Sequence, residues 1–114
     1  MSFWRKEVID FALSHETRLH LEEQLSWIQR EPENARPYYN LAQLYRIENK
    51  RDEALGLLLE AVRLQPDLPE AHAALAEIYI VMADYPAAWS HARSADAGGM
   101  SAAVELLKRY GIPE

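Results

Sequence analysis

ARPYYNLAQLYRIENKRDEALGLLLEAVRLQPDL, residues 35–68, runs directly into PEAHAALAEIYIVMADYPAAWSHARSADAGGMSA, residues 69–102. A shift of 34 places lays Leu41 on Leu75, Ala42 on Ala76, Tyr45 on Tyr79, Ala54 on Ala88 and Ala61 on Ala95. Several non-identical partners are compatible: Leu44 with Ile78, Ile47 with Val81, Tyr38 with His72. These spacings describe one packing pattern used twice. Where two helices of a hairpin cross closely the contact points must be small, and Ala42, Ala54 and Ala61 are small. Leu41, Tyr45 and Leu58 then fill the space to either side. One such hairpin cannot bury its apolar face alone, so neighbouring hairpins must stack into a continuous core.

The residues that punctuate the pattern agree with it. Asn34 is a good N-cap, and Pro37 falls in the first turn that follows, where a missing N–H is harmless. Asn49 sits in the tight turn between the paired helices and tolerates a left-handed conformation. Pro66 stops the second helix. Asp67 or Leu68 precedes Pro69 at the start of the next, and Pro86 opens the one after. Gly98 and Gly99 end that helix. Ser101 is placed to cap a last helix running to about Tyr110, which Gly111 and Pro113 stop. Gly56 lies inside a helix at a cost of roughly 1 kcal/mol against alanine.

The segment Tyr38-x-x-Leu41-Ala42-x-x-Tyr45, with Ala54-x-x-x-Leu58, Ala61 and Pro66, resembles a tetratricopeptide repeat (TPR). The second copy reads His72-x-x-Leu75-Ala76-x-x-Tyr79, with Ala88-x-x-x-Ala92 and Ala95. It departs from the family at Ala92, at Met100 where proline is usual, and at Ala83 where glycine is favoured. The likeness, to a small bacterial-type TPR protein, covers residues 35–102. It implies an all-α fold, a right-handed superhelical stack of antiparallel helix hairpins (a TPR-like α-solenoid) with about seven helices. Residues 35–68 would be TPR 1, 69–102 TPR 2, and 101–111 a C-terminal capping helix, all within one domain spanning 1–114.

Residues 1–34 fit less well. The same shift pairs Leu21 with Leu55, Leu25 with Leu59 and Pro32 with Pro66, and sets Trp4 and Phe11 opposite Tyr38 and Tyr45. His20, Gln24 and Trp27, however, stand where Ala54, Leu58 and Ala61 pack closely. The segment reads as a degenerate N-terminal repeat or cap, with helices at about 2–14 and 17–31. Terminal repeats are atypical because one face meets water.

Composition narrows the function. The chain has 114 residues, 12 Lys and Arg against 18 Asp and Glu, and a net charge of −6. That balance argues against nucleic acid, where affinity comes from clustered cations. Apolar residues at 49% are too many for a disordered chain. The absence of cysteine excludes disulfides, thiolate nucleophiles and Cys-rich zinc sites, and fits a reducing compartment. Met1 to Leu13 is interrupted by Arg5, Lys6, Glu7 and Asp10, unlike a signal peptide. The longest apolar run, Ile78 to Ala83, is far short of the roughly 20 residues that span a bilayer. The expectation is a cytoplasmic protein with no membrane partner.

Catalytic motifs are missing from the sequence. The Gly98-Gly99 pair lacks a phosphate-loop context, and no G-x-S-x-G elbow occurs. His15, His20, His72 and His91 show no H-E-x-x-H spacing and read as solvated or hairpin-packing residues, His72 standing in for a packing aromatic. The carboxylates of Glu22 and Glu23 diverge around a helix and suit a solvated face. No enzyme, no cofactor and no metal are therefore expected.

The family resemblance then places function on a concave face lined by the first helix of each pair. The groove positions it implies are Arg36, Tyr39, Gln43 and Arg46, with Ile47 at the edge, then Glu70, Ala73, Glu77, Ile80 and Val81. Arg5, Ile9 and Ala12 join them if the N-terminal hairpin keeps register. The expected role is a non-catalytic protein–protein interaction module that binds a peptide segment of a partner. Partner carboxylates would meet Arg36 and Arg46, whose planar forks donate paired hydrogen bonds; alternatively these arginines pair with Glu70 and Glu77. Chaperone-binding members hold a C-terminal carboxylate with a Lys/Asn/Arg clamp. Tyr39, Gln43 and Ala74 stand where that branch has Lys, Asn and Asn, so its specificity is not carried over. The alternative function is a structural module that self-associates, for instance as a homodimer, or assembles a complex through its end faces, using Trp27, Trp89 or the Val104/Leu107 stripe.

Overall fold

A computed structural model describes the backbone of residues 2–114 and the side chains of residues 15–114. It is all-helical. Among the described residues six helices follow one another: α1 (Ser2–Arg30), α2 (Ala35–Ile47), α3 (Arg51–Leu64), α4 (Pro69–Val81), α5 (Tyr85–Ala97) and α6 (Ala102–Arg109). Among the described residues there is no strand. Each helix packs mainly on its neighbours in sequence, and α4 also touches α6. No described helix is long and apolar enough to cross a membrane.

The expected seven helices become six because residues 2–14 and 17–31 do not form a hairpin. Ser2–Arg30 is one continuous helix, α1. The reason is local chemistry. Ser14-His15-Glu16-Thr17 contains neither a glycine nor a proline, so nothing there breaks the hydrogen-bond ladder. The side chains of Arg5, Ile9 and Ala12, and of Trp4 and Phe11, lie outside the described residues.

The ends of four helices share one device. Asn49 (φ 61°), Ala83 (φ 60°), Gly99 (φ 95°) and Gly111 (φ 67°) are left-handed residues at the ends of α2, α4, α5 and α6. At each end the following N–H reaches back five residues: Lys50 to the Tyr45 carbonyl at 2.8 Å, Asp84 to Tyr79 at 2.9 Å, Met100 to Ala95 at 2.9 Å and Ile112 to Leu107 at 3.0 Å. This double-bonded reversal satisfies the last helical carbonyls and turns the chain sharply.

N-terminal capping is less uniform. Asn34 Oδ1 accepts from the Arg36 N–H at 3.0 Å, and Asp84 Oδ1 accepts from the Ala87 N–H at 3.3 Å. Leu68 is the N-cap residue of α4, ahead of Pro69. Ser101 occupies the N-cap of α6 but makes no capping bond; its hydroxyl lies 3.2 Å from Glu105 Oε1 instead.

The core reproduces the 34-residue repeat in physical terms. Ala42, Ala54 and Ala61 are fully buried, and so are their counterparts Ala76, Ala88 and Ala95. Leu58, also fully buried, fills the first hairpin where Ala92 leaves room in the second. A polar contact repeats too. The Tyr38 hydroxyl donates to the Pro32 carbonyl at 2.7 Å, and His72 Nε2 sits 2.7 Å from the Pro66 carbonyl.

Buried residues form two clusters, one around Leu58 and Leu75, the other around Trp89 and Leu107, and half-buried Tyr79 borders both. In α6, Ala103 and Leu107 are buried four residues apart, as Ala71 and Leu75 are in α4. The Trp89 indole N–H donates to the Ile112 carbonyl at 3.2 Å and ties the C-terminus over this second cluster. Trp89 and Leu107 therefore belong to the interior and are not end-face contacts.

Candidate functional site

The nine groove positions lie on α2 and α4, and two ion pairs link them. Near the helix starts, Arg36 Nη2 donates to Glu70 Oε2 at 2.8 Å, with the guanidinium 5.4 Å above the Tyr39 ring. Near the ends, Arg46 Nη2 donates to Glu77 Oε2 at 2.7 Å, while Arg46 Nη1 donates to Gln43 Oε1 at 3.1 Å. The Arg36 hydrogen bond holds the Glu70 carboxyl below the usual glutamate range. Tyr39 leans on the first core cluster, and Ala73 and Ile80 are half-buried. Val81, by contrast, is 71% exposed.

A hollow of about 820 Å³ runs from the α2–α3 turn across the C-terminal half of α4 to α6. Of the expected residues, Arg46, Glu77, Ile80 and Val81 line it. Arg36, Tyr39, Gln43, Glu70 and Ala73 do not line it. Asn49, Lys50, Arg51, Asp52, Glu53, Ile78 and Leu106 complete the lining. A smaller hollow of about 280 Å³ shares Glu77 and Leu106 with the first and adds Arg109.

Leu106 and Arg109 are not among the groove positions the family resemblance implies, since it makes residues 101–111 a capping helix. Its signal was the Ala103/Leu107 spacing, which matches Ala71/Leu75 at an offset of 32 rather than 34. Lys50 and Arg51 were missed because they sit in a turn and the first residue after it.

The lining brings charged and apolar side chains together. Arg46 and Glu77 neutralise one another, and Ile80, Val81 and Leu106 give an apolar strip beside them. Among the described residues no group of three His, Asp or Glu side chains converges to hold a metal ion. Outside the hollow, His72 and His91 pair with each other, their Nδ1 atoms 3.0 Å apart. The ion pairs also change what Arg36 and Arg46 can do, since a partner carboxylate must displace Glu70 or Glu77 to reach them. No protein-family model matches this chain, and no curated protein matches it.

Proposed function

We propose that the chain is a TPR-like α-solenoid, wound as a right-handed superhelix, that binds a peptide segment of a partner protein without catalysis. The supporting observation is the hollow along α4, with Val81 standing open beside Ile80 and Leu106. The repeated hairpins, their matched alanine contacts and the shared helix ends support the solenoid reading. An apolar side chain of the partner sits on the strip, flanked by Arg46 and Arg51. In this reading apolar burial carries the affinity, because Arg46 is already neutralised by Glu77. The cysteine-free composition favours a cytoplasmic setting.

The test is selection of displayed peptides on the intact protein, followed by anisotropy titration of the consensus peptide. Burying a valine-sized contact is worth about 1.5–3 kcal/mol, so Val81→Asp weakens binding by at least about tenfold. Selection without a consensus, or unchanged affinity for Val81→Asp and Ile80→Ser, overturns the proposal.

A second reading, self-association, draws on α1, where Leu19 and Leu25 are 51% and 47% exposed. A monomer by light scattering at high micromolar concentration removes it.

A further inference from the structure

We propose that the His72–His91 pair makes the α4–α5 hairpin a pH-responsive joint, closed at neutral pH and loosened by mild acid. The proton positions follow from the geometry. A carbonyl can only accept, so the 2.7 Å contact to the Pro66 carbonyl puts a proton on His72 Nε2. Neutral His72 then presents a bare lone pair at Nδ1. His91 Nδ1, 3.0 Å away, must donate to it. Each ring is fixed as one tautomer, and His72 has both nitrogens engaged while only 8% exposed.

Acid attacks this arrangement in two ways. A proton on His72 Nδ1 keeps the bond only if His91 moves its own proton to Nε2, and it charges a ring that is 8% exposed; once both rings are protonated, two N–H groups oppose each other and the bond breaks. A proton on His91 keeps the bond but charges a half-buried ring. That ring stacks on Tyr79 at 5.6 Å and on His72 at 5.2 Å between centroids. The Pro66 carbonyl faces the pair from the α3–α4 turn, the Tyr79 ring faces it from α4, and the charge weighing on His91 is that of His72. Among the described residues no carboxylate lies within ion-pair distance of His72 or His91 to compensate a charge at this joint.

Burial, and then the neighbouring His72, push the His91 imidazole below its ordinary range. The unfolded chain therefore takes up this proton first as pH falls. The stability tied to His91 is intact above about pH 6.5, the ordinary imidazole value, and is lost as pH drops from there through its folded value.

The first hairpin supplies the contrast. At the places of His72 and His91 it has Tyr38 and Leu57, and Tyr38 donates to the Pro32 carbonyl at the same 2.7 Å. That version carries nothing that titrates between about pH 5 and 8. Only the second hairpin is sensitised. The position matters because Tyr79, the stacking partner of His91, borders both core clusters. Loosening there opens the seam between them.

The experiment compares thermal unfolding of the wild type and the double variant His72→Tyr/His91→Leu, which installs the first hairpin's pair, from pH 7.5 to 5.0. The wild-type Tm falls by several degrees across this range, and the variant loses at least half of that fall. Equal falls in both overturn the proposal. Should the double variant not fold, NMR titration of the wild-type rings decides. His91 titrating below the ordinary imidazole value of about 6.5, with Nδ1 protonated at neutral pH, supports the joint. His91 titrating at or above that value overturns it. Amide exchange at pH 5.5, corrected for its intrinsic pH dependence, quickens in α5 but not in α2.

Discussion

Two glycine-to-alanine changes should move stability in opposite directions, and the reason is geometric. Gly56 lies inside α3 on its exposed side, and a Cβ built there meets nothing within 4 Å. Alanine at this place recovers helix propensity, about 1 kcal/mol. Gly98 caps α5 with φ −91°, a value any residue accepts, so backbone strain is not at issue. A Cβ there would overlap the Pro69 ring, meeting its Cβ at 2.8 Å and its Cγ more closely still. Pro69 is the first residue of α4 and its ring has little room to yield. Overpacking of this kind costs about 1–3 kcal/mol, offset by less than about 1 kcal/mol from the stiffer unfolded chain. Gly98→Ala therefore destabilises by roughly 1–2 kcal/mol, and the two variants differ by about 2–3 kcal/mol. Guanidinium unfolding monitored by circular dichroism reads this directly, and at about 4 °C per kcal/mol a thermal melt shows it too. If both variants shift the same way, propensity alone governs these sites and the close approach of α5 to α4 is refuted.

Other substitutions test other parts of the fold. Ala83→Gly relieves a left-handed alanine at the end of α4 and should raise stability by about 1 kcal/mol, whereas Asn49→Ala at the matching place should lower it. Leu58→Ala empties the centre of the first cluster and should cost about 2–5 kcal/mol by denaturant unfolding. Arg36→Gln should return the Glu70 carboxyl toward the ordinary glutamate range, read by NMR titration. Any stability held by that carboxylate is present above the ordinary glutamate value and disappears as pH falls through its lowered one.

The hairpin core was readable because it obeys hard steric rules. Only small residues fit at the crossings, so Ala42, Ala54, Ala61 and their counterparts announce themselves by spacing. The turns were nearly as plain, since Asn49, Gly99 and Gly111 mark left-handed positions. The N-terminal segment was harder. Leu21, Leu25 and Pro32 match the repeat and suggest a hairpin, but the turn needs its own chemistry and Ser14–Thr17 has none. The groove was legible only in part. Periodicity indicates which face of α4 carries Glu77, Ile80 and Val81, and it allows Arg36 and Arg46 to pair with Glu70 and Glu77, as they do, but it does not choose that pairing over contact with a partner. Those pairs depend on the spacing between helices, which side-chain pattern does not encode. The His72–His91 bond was hidden likewise, because its partners are 19 residues apart on helices whose relative rotation decides whether the rings meet.

The two Arg–Glu pairs act as rungs between α2 and α4, one near each end of the helices. Both are partly exposed, so each adds at most about 1 kcal/mol and weakens as salt screens it. The other wall of the groove is fastened differently: α6 is held by buried Leu107 and by the Trp89 bond to Ile112, which ionic strength leaves alone. Salt therefore acts on one half of this surface only. Raising it weakens the direct ties between α2 and α4, whose positions the buried core still holds, and leaves the α4–α6 contacts unchanged, so a ligand gripping only the second half would bind with little salt dependence. One spanning both would sense the slackened rungs.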